Sequence, residues 1–194
     1  MFNERAEERF RKNSTVLKTF RLPKSIESIL EREAKVRDLS VNALAQVIFT
    51  KFVHWDRFAA RFGYVAITHE TLRSLLDLAD DEGLVESAQK VGAQVPKEAV
   101  LFWFKKVNVD TFLSYLENVS KFGGHAQYEH QTSGGDYTIT LRHDLGIKWS
   151  KWLRHFLDQA LRKMLGVAAQ FEFSESEVIC RFSELHGSEQ EQIT

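Results

Sequence analysis

Apolar and polar positions alternate along this chain in two styles, which give way to one another near Gly63. Over residues 15–22 the run TVLKTFRL is rich in β-formers. It puts Phe20 and Leu22 on one face and Thr19 and Arg21 on the other, the period of a strand. Pro23 has no amide hydrogen to continue a ladder and suits a helix start. Behind it, Ile26, Ile29, Leu30, Ala34 and Val36 recur at spacings that predict one apolar helical stripe. Asp38 and Leu39 break that stripe. Ser40 is a good cap for a second helix from Val41 to about His54. This helix carries Val41, Leu44, Val47, Ile48, Phe49, Phe52 and Val53, more apolar surface than an isolated helix pair buries, and a lone strand leaves its backbone groups without partners. A second copy of the segment answers both defects.

Past Trp55 the pattern changes. A linker or helix extension through Phe58, Phe62 and Gly63 leads to a second unit beginning near Tyr64. Residues 69–79 and 84–91 read as helices, and Asp110 as the cap of a third containing Phe112, Leu113, Leu116 and Val119. Strands at 124–131 and 137–143 flank the turn signal Thr132-Ser133-Gly134-Gly135-Asp136. A helix over 147–165 carries Trp149, Trp152, Leu153, Phe156, Leu157, Ala160, Leu161 and Met164 on one stripe, and 167–173 with 178–182 forms a second hairpin. The expected fold class is α+β. One strand and two helices form an intertwined dimer, followed by an α+β domain with helices first, two β-hairpins and one long amphipathic helix. The expected divisions are a charged, basic arm (1–14), the strand-helix-helix domain (15–58), the α+β domain (64–183) and a disordered polar tail (184–194).

Composition agrees with a folded chain: of 194 residues 43% are hydrophobic, with only 2 Pro and 10 Gly. The longest uncharged apolar stretch, 99–104, is too short to cross a bilayer, and the charged N-terminus MFNERAEERFRKN is no secretory signal core. A soluble, cytoplasmic protein without membrane contact is expected. Its single cysteine, Cys180, can form no intramolecular disulfide, and Val178, Ile179 and Phe182 around it point to a buried thiol. The formal net charge of −1 conceals a segregation. Residues 1–63 hold 13 Lys or Arg against 8 Asp or Glu, a balance of +5, leaving 13 against 19, or −6, for the remainder. Within the basic part Arg11, Lys12, Lys18, Arg21 and Lys24 occur without an acidic residue among them, a field suited to phosphate.

Strand, tight turn, helix, capped turn and apolar helix together resemble the ribbon-helix-helix DNA-binding fold of Arc, MetJ and CopG-type repressors. The residues carrying the resemblance are Lys18-Thr19-Phe20-Arg21-Leu22-Pro23-Lys24-Ser25-Ile26 and Asp38-Leu39-Ser40-Val41-Asn42, and it covers roughly a quarter of the chain. Pro23 stands where the family usually has a small polar residue, and Asp38 where glycine is frequent. The resemblance implies a homodimer, or a higher oligomer of dimers, on double-stranded DNA. Leu17, Thr19 and Arg21 of the ribbon would face base edges. Arg can grip guanine through O6 and N7, and Thr offers a hydroxyl and a methyl group. Phosphate contacts would come from Arg11, Lys12 and Lys24, and from the free N–H groups of Ser40, Val41 and Asn42 at the second helix start. The nucleoid follows as the expected location.

The second unit carries no motif of known chemistry. His125 and His143 come near one another if the hairpin closes at Gly134-Gly135, but two histidines make no metal site, and no cofactor is expected. His143-Asp144 can be read as an acid/base pair or, before Gly146, as turn and capping residues. No phosphate-binding, dinucleotide or nucleophile motif is present, so an enzyme is not expected. The expected role is transcriptional regulation, as a repressor in the family's manner, with the acidic unit sensing a small molecule, binding a protein effector or oligomerising. The alternatives are an antitoxin, and a ligand-binding protein or enzyme that uses its N-terminal unit only to dimerise.

Overall fold

The computed structural model describes residues 15–184. Contacts divide the chain into two compact units, with the boundary between Thr50 and Lys51.

In the first unit, residues 15–23 form neither helix nor strand. The strand predicted over 15–22 is thus absent from the single chain. A lone strand has no ladder to join, so its alternation alone gives no pairing. Helix α1 (Lys24–Val36) starts behind Pro23, whose φ of −55° suits that place and whose carbonyl accepts from Ile26 N at 3.0 Å and Glu27 N at 3.1 Å. It stops where Asp38 takes a φ of +52°. Leu39 N returns to Ala34 O at 2.9 Å and Asp38 N to Lys35 O at 3.2 Å, a pair of closing bonds that satisfies two orphan carbonyls. Ser40 then accepts from Ala43 N at 3.1 Å through its hydroxyl, capping helix α2 (Val41–Lys51). Among the described residues of this unit only Ala34 and Leu44 are buried. Ile29, Val47, Ile48 and Phe49 stay about half exposed.

The second unit opens with a π-helical turn, Phe52–Asp56, a short α-turn, Arg57–Ala59, and a 3-10 turn, Ala60–Phe62, ending at Gly63 with a φ of +68°. The segment read as linker or helix extension is therefore helical. Its Trp55 is buried, with ring centroids 4.7 Å from Tyr64 and 5.9 Å from Trp103. Helix α3 (His69–Leu78) is capped by the Thr68 hydroxyl, and α4 (Asp81–Phe104) by the Asp80 carboxylate. The helix expected over 84–91 is thus part of the first half of a longer one that includes the apolar 99–104 run and Pro96. Pro96 cannot donate to the Gly92 carbonyl, a local cost that suggests a break. Packing against another helix outweighs it. A Cβ at Gly92 would overlap the backbone carbonyl of Phe156, so the two helices approach as closely as glycine permits. Helix α5 (Val109–Gly123) is capped by Asn108 in a reciprocal box with Thr111, not by Asp110 as expected. Asp110 lies inside the first turn, where its charge suits the helix dipole.

Strands β1 (Gln127–Ser133) and β2 (Asp136–Arg142) close on Gly134 and Gly135, whose φ values of +59° and +90° meet the needs of a two-residue hairpin turn. Helix α6 (Ile147–Leu165) follows, then β3 (Gln170–Phe173) and β4 (Glu177–Ser183). The antiparallel sheet has the order β1-β2-β4-β3. On its inner face Ile139 pairs with Cys180, Leu141 with Val178, and Tyr137 stacks on Phe182 at 5.1 Å. These side chains join Phe112, Leu157 and Leu161 in one core beneath α4, α5 and α6. The unit, and with it the described chain, is α+β. Burial pushes the Cys180 thiol up to about 12, which leaves it protonated and inert. The predicted arm over 1–14, and the predicted tail over 184–194 from residue 185 on, lie outside the described residues.

Candidate functional site

Two surfaces carry the residues singled out from the sequence. On the first unit, Leu17, Thr19 and Arg21 are exposed, Leu17 almost fully, at 94%. Lys24 is exposed at the start of α1, and Ser40, Val41 and Asn42 are exposed around the start of α2. The Ser40 hydroxyl is spent on its cap, whereas helix geometry leaves the N–H groups of Val41 and Asn42 without intrahelical partners. Phe20 stacks toward Phe49 with centroids 5.7 Å apart. Arg11 and Lys12 lie outside the described residues.

The second surface was only partly anticipated. His125 and His143 do line one cleft of about 730 Å³, together with His69, Glu117, Lys121, Tyr128, Arg142 and Asp144. His69 was missed, because it reaches the cleft from the start of α3, far away in sequence. Its Nδ1 lies 2.9 Å from Asp144 Oδ1 and its Nε2 2.7 Å from Gly124 O. The ring thus bridges the Asp144 carboxylate and the Gly124 carbonyl. Asp144 is therefore paired with His69, and its backbone carbonyl accepts from Arg73 at 2.7 Å.

His143 is held otherwise. Leu145 N donates to its Nδ1 at 3.3 Å, which leaves the proton on Nε2, 2.9 Å from the hydroxyl of fully buried Ser150. A ring that donates to a serine takes no proton from it, and a buried hydroxyl meets no substrate. This pair is a structural link between the end of β2 and α6. Burial holds His143 below the usual histidine value, with Asp144 opposing. Burial and the neighbouring His69 lower His125. The His125 carbonyl accepts from Trp149 Nε1 at 3.2 Å, and its ring packs against Trp149 at 6.1 Å with no hydrogen bond among the described residues. Arg142 is engaged by Glu129 at 3.0 Å and Glu177 at 2.9 Å. Among the described residues no group of three or more His, Cys, Asp or Glu side chains is placed to hold a metal ion. Nor is any described helix long and apolar enough to cross a membrane.

Behind the cleft lies a second, smaller cavity of about 210 Å³, walled mainly by apolar side chains of α4, α5 and α6. The sequence signal for it was the Trp149, Trp152 and Phe156 stripe, which reads equally as core. In comparisons with known proteins, no family model and no curated protein matches the chain.

Proposed function

We propose that this protein is a dimeric, sequence-specific DNA-binding transcriptional regulator of the ribbon-helix-helix kind, in which residues 15–22 of two chains pair as an antiparallel ribbon. The observation that carries the reading is the inverted burial of the first unit. Its apolar side chains face outward beside an exposed basic segment, while only Ala34 and Leu44 are buried among its described residues. A pair of short helices with so little core needs a partner, and a second copy supplies both a matching apolar face and a strand for the ladder. The turn at Asp38 supports the same reading. Its φ of +52° belongs to the conformation that explains why glycine is frequent there in the family. The ribbon then presents Thr19 and Arg21 to the major groove, while Lys24 and the start of α2 grip phosphates.

The test is a binding series on a sequence selected from random DNA. Arg21→Ala is expected to cost roughly 1–3 kcal/mol on the selected site and to relax preference at one position of each half-site, whereas Lys24→Ala weakens selected and random DNA alike. Equal losses on both DNAs for Arg21→Ala would remove it from base reading. Failure to bind any DNA at low salt would sink the proposal.

A further inference from the structure

The cavity and the histidine cleft are lined in common by Ser120, His125 and Ala126. An apolar chamber thus meets a polar mouth at one imidazole whose ring nitrogens make no hydrogen bond among the described residues. Further into the cleft wall the Tyr128 hydroxyl is buried with no hydrogen-bond partner among the described residues, and a buried unpaired hydroxyl is costly. Three parallel aromatic rings border the chamber. Trp149 and Trp152 stack at 4.9 Å with 8° between their planes, and Trp152 and Phe156 stack at 5.0 Å with 15°.

We infer that the second unit binds a small, flat, uncharged aromatic molecule, its ring in the chamber between α4, α5 and α6 and its single polar group at the mouth, where His125 reads it. Size sets the first limit. A cavity of roughly 150 Å³ holds a benzene ring, so about 210 Å³ admits a bicyclic molecule of roughly ten heavy atoms. Charge sets the second. An apolar chamber does not solvate an ion. At the mouth Arg142 is already held by two glutamates and Asp144 by His69, Glu117 and Lys121 line it with opposite charges, and burial with the neighbouring His69 disfavours the charged form of His125. A neutral imidazole both donates and accepts, which matches a hydroxyl or carbonyl group. The site lies wholly within the second unit, and its occupancy is measured without DNA, so it stands or falls apart from the DNA-binding proposal.

Calorimetric titration of the full-length protein at neutral pH with 2-naphthol and with 2-naphthoate, the same ring system carrying a charge, tests the inference. One molecule of 2-naphthol per chain is expected to bind, with a dissociation constant on the order of 10–100 µM, and 2-naphthoate at least about tenfold more weakly. Val95→Trp, which fills the chamber, is expected to abolish the binding. His125→Phe, at the mouth, is expected to weaken it about tenfold while circular dichroism and the melting temperature stay those of the parent. If Val95→Trp does not fold, His125→Phe alone carries the test. The inference is overturned by the absence of saturable 2-naphthol binding, by equal or tighter binding of 2-naphthoate, or by an unchanged affinity in folded His125→Phe.

Discussion

The two units of this chain use the same kinds of apolar residue in opposite ways. In the second unit Phe112, Ile139, Leu157, Leu161 and Val178 are fully withdrawn from solvent, and β2 and β4 alternate inward apolar with outward polar side chains, Ile179 excepted. In the first unit, α1 and α2 carry Ile29, Val47, Ile48 and Phe49 at about half exposure, although Ser40 caps α2 and the closing turn of α1 is hydrogen-bonded. The lesson concerns the origin of stability. Local hydrogen bonding can specify a helix pair in full, yet hydrophobic stabilisation accrues only as apolar area leaves water. The second unit holds its core internally, whereas the first leaves most of its apolar face exposed, the face that the proposed dimer would cover.

The largest expected effect tests the self-sufficient side of that contrast. Phe112→Ala is expected to cost about 3–5 kcal/mol, because a fully buried ring leaves a cavity beneath α4 and α6. Chemical denaturation should register the loss at every protein concentration alike. A concentration-dependent loss would mean that the second unit also leans on a partner.

Phe49→Asp comes next. It sets a charge in the face that a second copy would cover, and is expected to raise the dimer dissociation constant about a hundredfold, roughly 3 kcal/mol. Sedimentation equilibrium reads this directly. An unchanged mass would separate the exposed face from any role in association.

Asp38→Gly sharpens the comparison from the other direction, since it alters only local backbone strain at the turn between α1 and α2. Releasing a non-glycine residue from a φ of +52° is expected to stabilise the first unit by roughly 0.5–1 kcal/mol, seen as a higher midpoint for its unfolding alone. A lower midpoint would show that the Asp38 side chain contributes to the turn.

The smallest effect is pH dependence in the second unit. His125, His143 and His155 are each held below the usual histidine value, first by burial. In the folded state they bind protons less readily than in the unfolded chain. Their contribution is therefore fully present above about pH 6.5 and is lost as the pH falls through the depressed folded values. The three rings are only partly buried, so solvent moderates the effect. Thermal melts from pH 7.5 down to 5 are expected to show the second unit falling, with a shallower slope in His143→Gln. Identical slopes would exclude His143 from the linkage.

Several elements were legible in the sequence because their limits depend on near neighbours. Helix α6 spans the stretch its apolar stripe marks, between Gly146 and Gly166, both at positive φ. The first hairpin turns where Gly134-Gly135 allows it, Ser40 caps α2, and α1 begins behind Pro23. Each is decided within one or two turns of chain, where propensity and hydrogen-bonding groups act directly.

The candidate cleft was half legible. His125 and His143 follow from the hairpin register, but nothing near His69 announces that Asp144 will sit 2.9 Å away. Tertiary structure alone decided that meeting, as it decided that α4 runs on through Pro96, that the Trp149, Trp152 and Phe156 stripe borders a cavity as well as a core, and that 15–22 by itself forms no strand. The physical reason is common to all four. Each outcome depends on a surface contributed by residues remote in sequence, or by another chain, and a pattern of apolar spacing states which face a segment will bury without stating what will cover it.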